Sequence, residues 1–202
     1  IENLTSMGSN SFTGAADGLE IMTYYEFRNT ATVYGIYVEI TSTTVPGSAI
    51  LASVYDTLSV LGTPADFTSP LAQSDIITVT AADVAAGRVL APFLDPVDLT
   101  PNAYYASVRL FSSANATDIR VVDDVTVAQP NIASLIFIPG DQVYTNGNAS
   151  AVRMVLDQNI SVSELTPLEG VSVSPNPTNG LLTVRSINAG THTIQVLNAL
   201  GE

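Results

Sequence analysis

The chain has 202 residues, a formal net charge of −13, six arginines, no lysine and no cysteine. The missing cysteines exclude disulfides, thiolate metal sites and cysteine nucleophiles, and the missing lysines exclude Schiff bases and lysine-based isopeptide bonds. Such an acidic chain is repelled by nucleic acid and by anionic membrane surfaces. Because 46% of the residues are hydrophobic and only 12% are charged, we expect a folded chain without membrane insertion.

Strand patterns recur through the first three quarters of the sequence. Residues 34–40 alternate, with Tyr34, Ile36, Val38 and Ile40 on one face, which is the period of a half-buried strand. Similar patterns predict strands at residues 21–27, 50–54, 76–79, 89–93, 103–111, 119–122, 133–138 and 151–156.

The segments between these strands contain turn residues and one helical pattern. Residues 80–87 predict a helical turn that Thr80 caps, with Asp83 at its third position and Gly87 as its stop. Residues 57–75 contain Gly62, Pro64 and Pro70, and we expect them to be mostly loop.

About eight short strands with Gly, Pro and Asn turns predict an all-β protein built as an antiparallel β-sandwich. Several connections are too long for hairpins, which favours a Greek-key or jelly-roll topology. We expect the sandwich at residues 1–163, a linker at residues 164–170 and a small β domain at residues 171–202. No activity follows from such an architecture.

The last segment opens with a strand, a rigid turn and a second strand. Val171 and Val173 alternate with serines, and the prolines at 175 and 177 then stop the ladder because they fix φ and lack N–H donors. Asn179 and Gly180 tolerate positive φ, and an extended run restarts at residue 181.

This motif resembles the start of the type A C-terminal sorting domain of the Bacteroidota type IX secretion system, and residues 193–201 resemble the next strand and turn of that family. The resemblance covers residues 168–202 and implies export across the outer membrane, with the secretion machinery and a surface sortase as partners. It also implies an extracellular or cell-surface location. We expect the sorting domain to be incomplete at Glu202, and a signal peptide or further domains upstream of Ile1. The residues that carry the motif are Ser174, Pro175, Asn176, Pro177, Thr178, Asn179 and Gly180.

The sequence offers little for catalysis. His192 is the single histidine and lies in the sorting-type segment, which argues against a Ser–His–Asp triad or a histidine zinc site in the sandwich. Asp123 and Asp124 are adjacent, so in a strand they point to opposite faces. We therefore predict no enzymatic activity, with a carboxylate-based glycosidase as the weakest alternative.

The same acids are candidate ligands for a structural calcium ion, which prefers loops of carboxylate and carbonyl oxygens. We predict no other cofactor. The leading set is Asp118, Asp123 and Asp124, and two pairs are further candidates, Asp17 with Glu20 and Asp95 with Asp98.

Two surface features remain. Six strand tyrosines come in adjacent or near-adjacent pairs, so each adjacent pair sends one ring to the core and one outward, where it packs on the sheet or contacts a sugar or protein. These are Tyr24, Tyr25, Tyr34, Tyr37, Tyr104 and Tyr105. The triplet Asp56-Thr57-Leu58 resembles the O-glycosylation motif of Bacteroidota secreted proteins, which makes Thr57 a candidate glycosylation site.

These observations favour a non-catalytic secreted or surface module that serves adhesion, structure or binding. Its partners would be a glycan or further copies of itself, since uncovered sheet edges are templates for pairing. The alternative is an accessory domain of a larger secreted hydrolase.

Overall fold

A computed structural model describes residues 4–9, 17–113, 116–156, 171–174 and 183–186. The chain divides into two compact units, Ile1–Gln158 and Asn159–Glu202. The predicted linker at residues 164–170 lies outside the described residues.

The first unit contains a seven-stranded sheet in the order β11-β10-β2-β8-β4-β5, with β6 also paired to β4. Its longest pairing joins β2 to β8 from Leu19↔Leu110 to Phe27↔Asn102. The strands are β2 (Leu19–Phe27), β4 (Ala49–Asp56), β5 (Ala72–Gln73), β6 (Ile77–Thr78), β8 (Asn102–Phe111), β10 (Ser134–Phe137) and β11 (Val143–Thr145).

The second layer is formed by two three-stranded sheets, β1-β9-β12 and β13-β3-β7. The bridge Ile40↔Val121 joins them, and the N–H of Ala151 donates to the carbonyl of Val122 at 2.9 Å. The strands are β1 (Leu4–Gly8), β3 (Ala31–Glu39), β7 (Arg88–Leu99), β9 (Arg120–Asp124), β12 (Ala149–Ser150) and β13 (Val152–Val155).

The main core lies between these two layers. It takes one face of each long strand, and Ile50, Ala52 and Val54 of β4 are all fully buried there, as their alternation predicts. Several hydrogen bonds cross between the layers: for example, Thr23 Oγ1 donates to the Ser150 carbonyl at 3.1 Å and the Tyr25 hydroxyl donates to the Val152 carbonyl at 2.9 Å.

Every strand pairing in the described residues is antiparallel. The steps β2 to β3, β3 to β4 and β7 to β8 each cross from one layer to the other, so these consecutive strands do not form hairpins. The connections at residues 28–30 and 100–101 are nevertheless short, and among these three steps only the one at residues 40–48 is long. The prediction of an all-β antiparallel fold is confirmed.

The two helices are short. In α2 (Ala81–Ala86), Thr80 and Asp83 form a capping box and Gly87 adopts φ 70° at the C-terminal end, which confirms the predicted helical turn. In contrast, α1 (Thr57–Leu61) lies where a loop is expected from the sequence, so that prediction is wrong for these five residues. No helix among the described residues is long and apolar enough to cross a membrane.

Other differences concern the extent of strands. The strand predicted at residues 89–93 continues to Leu99, through Pro92 and Pro96, and the short strands β1, β11 and β12 were not expected from the sequence. The register of β3 against β7 shifts between Val33 and Gly35. Val33 is therefore fully buried, while Tyr34, predicted on the core face, is only half-buried.

The second unit contains β14 (Val171–Ser174) and β15 (Thr183–Ser186). They pair antiparallel with Val171 opposite Ser186 and Ser174 opposite Thr183. The two extended segments predicted around the Pro-Asn-Pro turn are therefore paired as strands.

Candidate functional site

The outer face of the seven-stranded sheet carries a second apolar cluster, separate from the main core. Its buried members are Met22, Tyr55, Val60, Tyr105 and Leu135. In an antiparallel sandwich the outer face of a sheet is normally exposed to water, but here α1 and the segment after it cover part of this face.

Helix α1 is held on this face by its own local chemistry. The Asp56 carboxylate caps it by accepting the N–H of Ser59 at 2.7 Å. Val60 then points to the sheet and is 1% exposed, whereas Leu58 points away and is 83% exposed. Further along, the Phe67 ring packs edge-on against Tyr55 at 5.4 Å and lies 4.5 Å from Phe137.

Two buried tyrosines anchor segments on this face: Tyr55 bonds the segment after α1, and Tyr105 bonds the segment before β10. The Tyr105 hydroxyl donates to the Ile132 carbonyl at 2.8 Å, and the Tyr55 hydroxyl donates to the Phe67 carbonyl at 3.4 Å. Burial raises the pKa of each to about 12, with Glu20 adding to the rise at Tyr55 and Tyr24 at Tyr105. Both hydroxyls therefore remain protonated donors at neutral pH.

Two of the six tyrosines named from the sequence, Tyr24 and Tyr105, belong to this cluster. Tyr24 and Tyr105 lie opposite each other in β2 and β8, and their rings meet edge to face at 5.6 Å. Tyr25 and Tyr104 instead face the main core. The outward rings of Tyr24 and Tyr105 therefore pack against each other on this sheet, while Tyr34 and Tyr37 lie half-buried in β3 of the other layer.

A groove of about 580 Å³ opens beside α1 on this face. The buried side chains of Val60 and Leu135 form its floor together with Phe137. Its walls are the end of α1 with the following turn and the β10–β11 hairpin. The lining consists of residues 60–65, Asn131, Ile132, Leu135, Phe137 and residues 141–145.

The rim of the groove combines apolar and polar groups. Leu61 is 45% exposed and Ile132 is 47% exposed. At the hairpin, the Tyr144 hydroxyl donates to Asp141 Oδ2 at 2.7 Å, which raises the pKa of Tyr144. Thr145 Oγ1 donates to the Asn131 carbonyl at 2.9 Å.

This lining suits binding better than reaction chemistry. An apolar floor with a few polar groups at the rim is the usual composition of a ligand site. The carboxylate of Asp141 is the one acid in the lining, and the lining contains neither histidine nor a second acid to act with it.

The leading calcium candidates are not brought together. Asp118 precedes β9, where it pairs with Arg120 Nη1 at 3.1 Å and accepts the Ser9 hydroxyl at 3.0 Å. Asp123 and Asp124 lie at the other end of β9, about 16 Å along an extended chain.

Asp123 and Asp124 have different surroundings. Asp123 is 1% exposed and accepts the Ser150 hydroxyl at 2.7 Å and the Asn146 amide at 3.0 Å. Asp124 accepts the N–H of Thr126 at 2.8 Å, and its hydrogen bonds from the Thr126 side chain and backbone lower its pKa.

The two further acidic pairs also have protein partners. Glu20 accepts the Ser107 hydroxyl at 2.5 Å and pairs with Arg109 Nη2 at 2.7 Å, while Asp17 accepts the N–H of Ser112 at 2.8 Å. Asp98 accepts Thr32 Oγ1 at 2.5 Å from the neighbouring strand, and Asp95 lies in the same strand β7. The described residues contain no group of three or more His, Cys, Asp or Glu side chains that could hold a metal ion. The calcium site stays a prediction.

Thr57, the predicted glycosylation site, is not among the residues that line the groove. Thr57 is the first residue of α1 and is half-buried, beside the exposed Leu58. Ser174 ends β14, opposite Thr183. The rest of the sorting motif, residues 175–180, and His192 lie outside the described residues.

The groove was not foreseen from the sequence, although one signal pointed toward it. Residues 57–75 form a predicted loop longer than about 12–15 residues, a length above which loops without secondary structure are uncommon and often functional. This segment supplies α1, Phe67 and one wall of the groove.

No protein-family model, no curated protein and no solved structure matches this chain.

Proposed function

We propose that this chain is a non-catalytic secreted or cell-surface module that binds a partner through the groove beside α1. The observation that carries the proposal is the groove itself, with its buried apolar floor and polar rim. Its walls come from segments that are anchored to the sheet by buried tyrosine hydroxyls, so the site is preorganised.

The placement of the buried acids supports a non-catalytic role. Glu20 is used to join β2 to β8 through Ser107 and Arg109, and Asp123 joins β9 to β12 through Ser150. These carboxylates are each 1% exposed, so they act as parts of the sheet structure.

The likeness of residues 168–202 to a type A sorting domain supports export by type IX secretion and a location outside the outer membrane. Expression behind a signal peptide, with the sorting segment extended beyond Glu202 to a complete type A domain, in a bacterium with type IX secretion would test this. We expect surface or medium localisation that is lost when Pro175 and Pro177 are both changed to Ala. Retention in the periplasm without these changes would contradict it.

Binding is tested with the full chain on a panel of polysaccharides and peptides. Leu61→Glu places a charge at the groove rim, and Leu58→Glu places the same charge on the same helix outside the lining. We expect at least one ligand of the panel to bind the parent chain and Leu58→Glu but not Leu61→Glu. Equal binding by both variants would exclude the groove as the site.

A further inference from the structure

We infer that the groove binds an extended peptide, which adds a strand to the free edge of β11 and inserts an apolar side chain beside Leu61 and Ile132. The inference rests on the proposed function and names the ligand class of the same site. Three features of the described residues support it: the open edge, the position of the floor and the charge of the lining.

The first feature is the edge of the seven-stranded sheet at β11. The Asn146 N–H donates to the Ser134 carbonyl at 2.9 Å and the Ile138 N–H donates to the Gln142 carbonyl at 3.3 Å. In an antiparallel pair alternate residues bond to the same neighbour, so Val143 and Thr145 direct their N–H and C=O groups away from β10. An extended peptide presents donors and acceptors at the same spacing.

The second feature is the position of the groove next to this edge. Val143 and Phe137 lie opposite each other and face the outer cluster. A strand added at β11 lies about 4.8 Å away, with alternate side chains on that same outer face. Those side chains reach the groove, whose lining follows residues 141–145 along about 16 Å, or roughly five residues of an extended peptide.

The third feature is charge. Asp141 is the one carboxylate in the lining, and neither Arg nor Lys is present there. The whole chain carries −13, so the surrounding field also attracts a cation and repels an acidic peptide. The peptide therefore carries a Lys or Arg near its apolar residue.

The probe is a library of blocked heptapeptides, each with one Leu or Phe and one Arg at varied positions, titrated against the full chain by fluorescence anisotropy. Leu61→Glu and Ile132→Glu each weaken the best peptide about tenfold or more, because both put a charge in the contact. Asp141→Asn weakens Arg peptides several-fold, and less so in high salt. Leu58→Glu, outside the lining, leaves the affinity unchanged.

Methylated backbone amides test the strand pairing directly. In the best peptide, N-methylation at every second residue abolishes binding, and methylation at the residues between has little effect, because only alternate N–H groups face β11. An effect that is equal at all positions, or affinity that is unchanged in Leu61→Glu and Ile132→Glu, overturns the inference.

The two proposals fail in different ways. A polysaccharide that binds the full chain and is lost in Leu61→Glu, with no peptide bound, overturns the peptide inference and supports the binding module. If Leu61→Glu changes the binding of neither peptides nor polysaccharides, both proposals are overturned.

Discussion

Tyr104 and Tyr105 are neighbours in β8, and both rings are buried, with 6% and 0% of their surface exposed. Adjacent strand residues point to opposite faces, so Tyr104 enters the core between the layers and Tyr105 enters the outer cluster. The sheet is therefore covered on both faces at this point. The outer cover is what creates the groove.

The hydrogen bond from Tyr105 to Ile132 holds one wall of that groove. Tyr105→Phe leaves the Ile132 carbonyl without this donor, and we expect the free energy of unfolding to fall by about 1–2 kcal/mol. Urea unfolding measures the change. Tyr144→Phe is the control, because that hydroxyl bonds Asp141 at the exposed rim, and a loss of about 0.5 kcal/mol or less is expected. Equal losses in the two variants would show that the buried bond has no special role.

Alkaline pH should destabilise the sandwich through the same cluster. Burial raises the pKa of Tyr55 from 10.0 to about 12, and that of Tyr105 likewise. Between these values the unfolded chain binds fewer protons than the folded chain, so stability is present below pH 10 and is lost as pH rises toward 12. Denaturant titrations across this range should give a shallower decline for Tyr55→Phe. An identical slope in that variant would contradict the assignment.

Most of the inner sheet faces could be predicted from the sequence, because local alternation determines them wherever the pairing is regular; Tyr34, at the register shift of β3, is the exception. Ile50, Ala52 and Val54 of β4 show this alternation. Helix α2 could be predicted as well, because its capping box at Thr80 is also a local pattern. The outer cluster could not be predicted in this way. Whether Tyr105 is exposed to solvent or buried depends on contacts with distant residues such as Ile132, 27 residues away. Alternation within a strand carries no information on such a contact.

Short elements were missed for a related reason. The helix α1 has five residues, too few to show a helical period, and Asp56 as its cap is hard to tell from an ordinary loop acid. The hairpin strand β11 has three residues and is fixed by its pairing to β10. Since both elements line the groove, the candidate site was not visible in the sequence.

A buried ion pair also braces the outer face. Glu20 is 1% exposed, and Arg109 is 28% exposed in its side chain. Although burial opposes its charge, the Glu20 carboxylate raises the pKa of Arg109. Glu20→Gln keeps the shape but removes the charge, and we expect a loss of about 2–3 kcal/mol, less than for a fully buried pair. Chemical denaturation measures it.

The control for this change is Glu39→Gln. Glu39 pairs with Arg153 at 3.1 Å, but the two side chains are 35% and 54% exposed. Water and salt screen such a pair, so the expected loss is about 0–1 kcal/mol. A Glu39→Gln loss as large as that of Glu20→Gln would mean that burial does not decide the value of these pairs.

The shift in register between β3 and β7 depends on Gly35. A Cβ there would lie 2.6 Å from the Ala91 carbonyl oxygen and 2.8 Å from Pro92 Cα, both backbone atoms. Gly35→Ala should therefore cost about 2–3 kcal/mol. Gly47→Ala is the comparison, because its φ of +96° is strained for alanine while its Cβ meets nothing within 4 Å, and about 1 kcal/mol is expected. A Gly35→Ala protein as stable as the parent would mean that β7 can move aside.

Measurements at the buried carboxylate of Asp123 test the calcium prediction most directly. Its oxygens accept hydrogen bonds from Ser150 and Asn146, while Asp118 is paired with Arg120 at the far end of β9. Dialysis against a chelator is the test: the calcium prediction requires the melting temperature to fall, and an unchanged melting temperature would contradict it. Ser150→Ala should lower the free energy of unfolding by about 1–3 kcal/mol with or without calcium, since it leaves the buried acid one donor short. A fall in melting temperature on chelation that Asp123→Asn abolishes would instead establish an ion at Asp123. The hydrogen bonds from Ser150 and Asn146 would then orient the carboxylate that binds the ion.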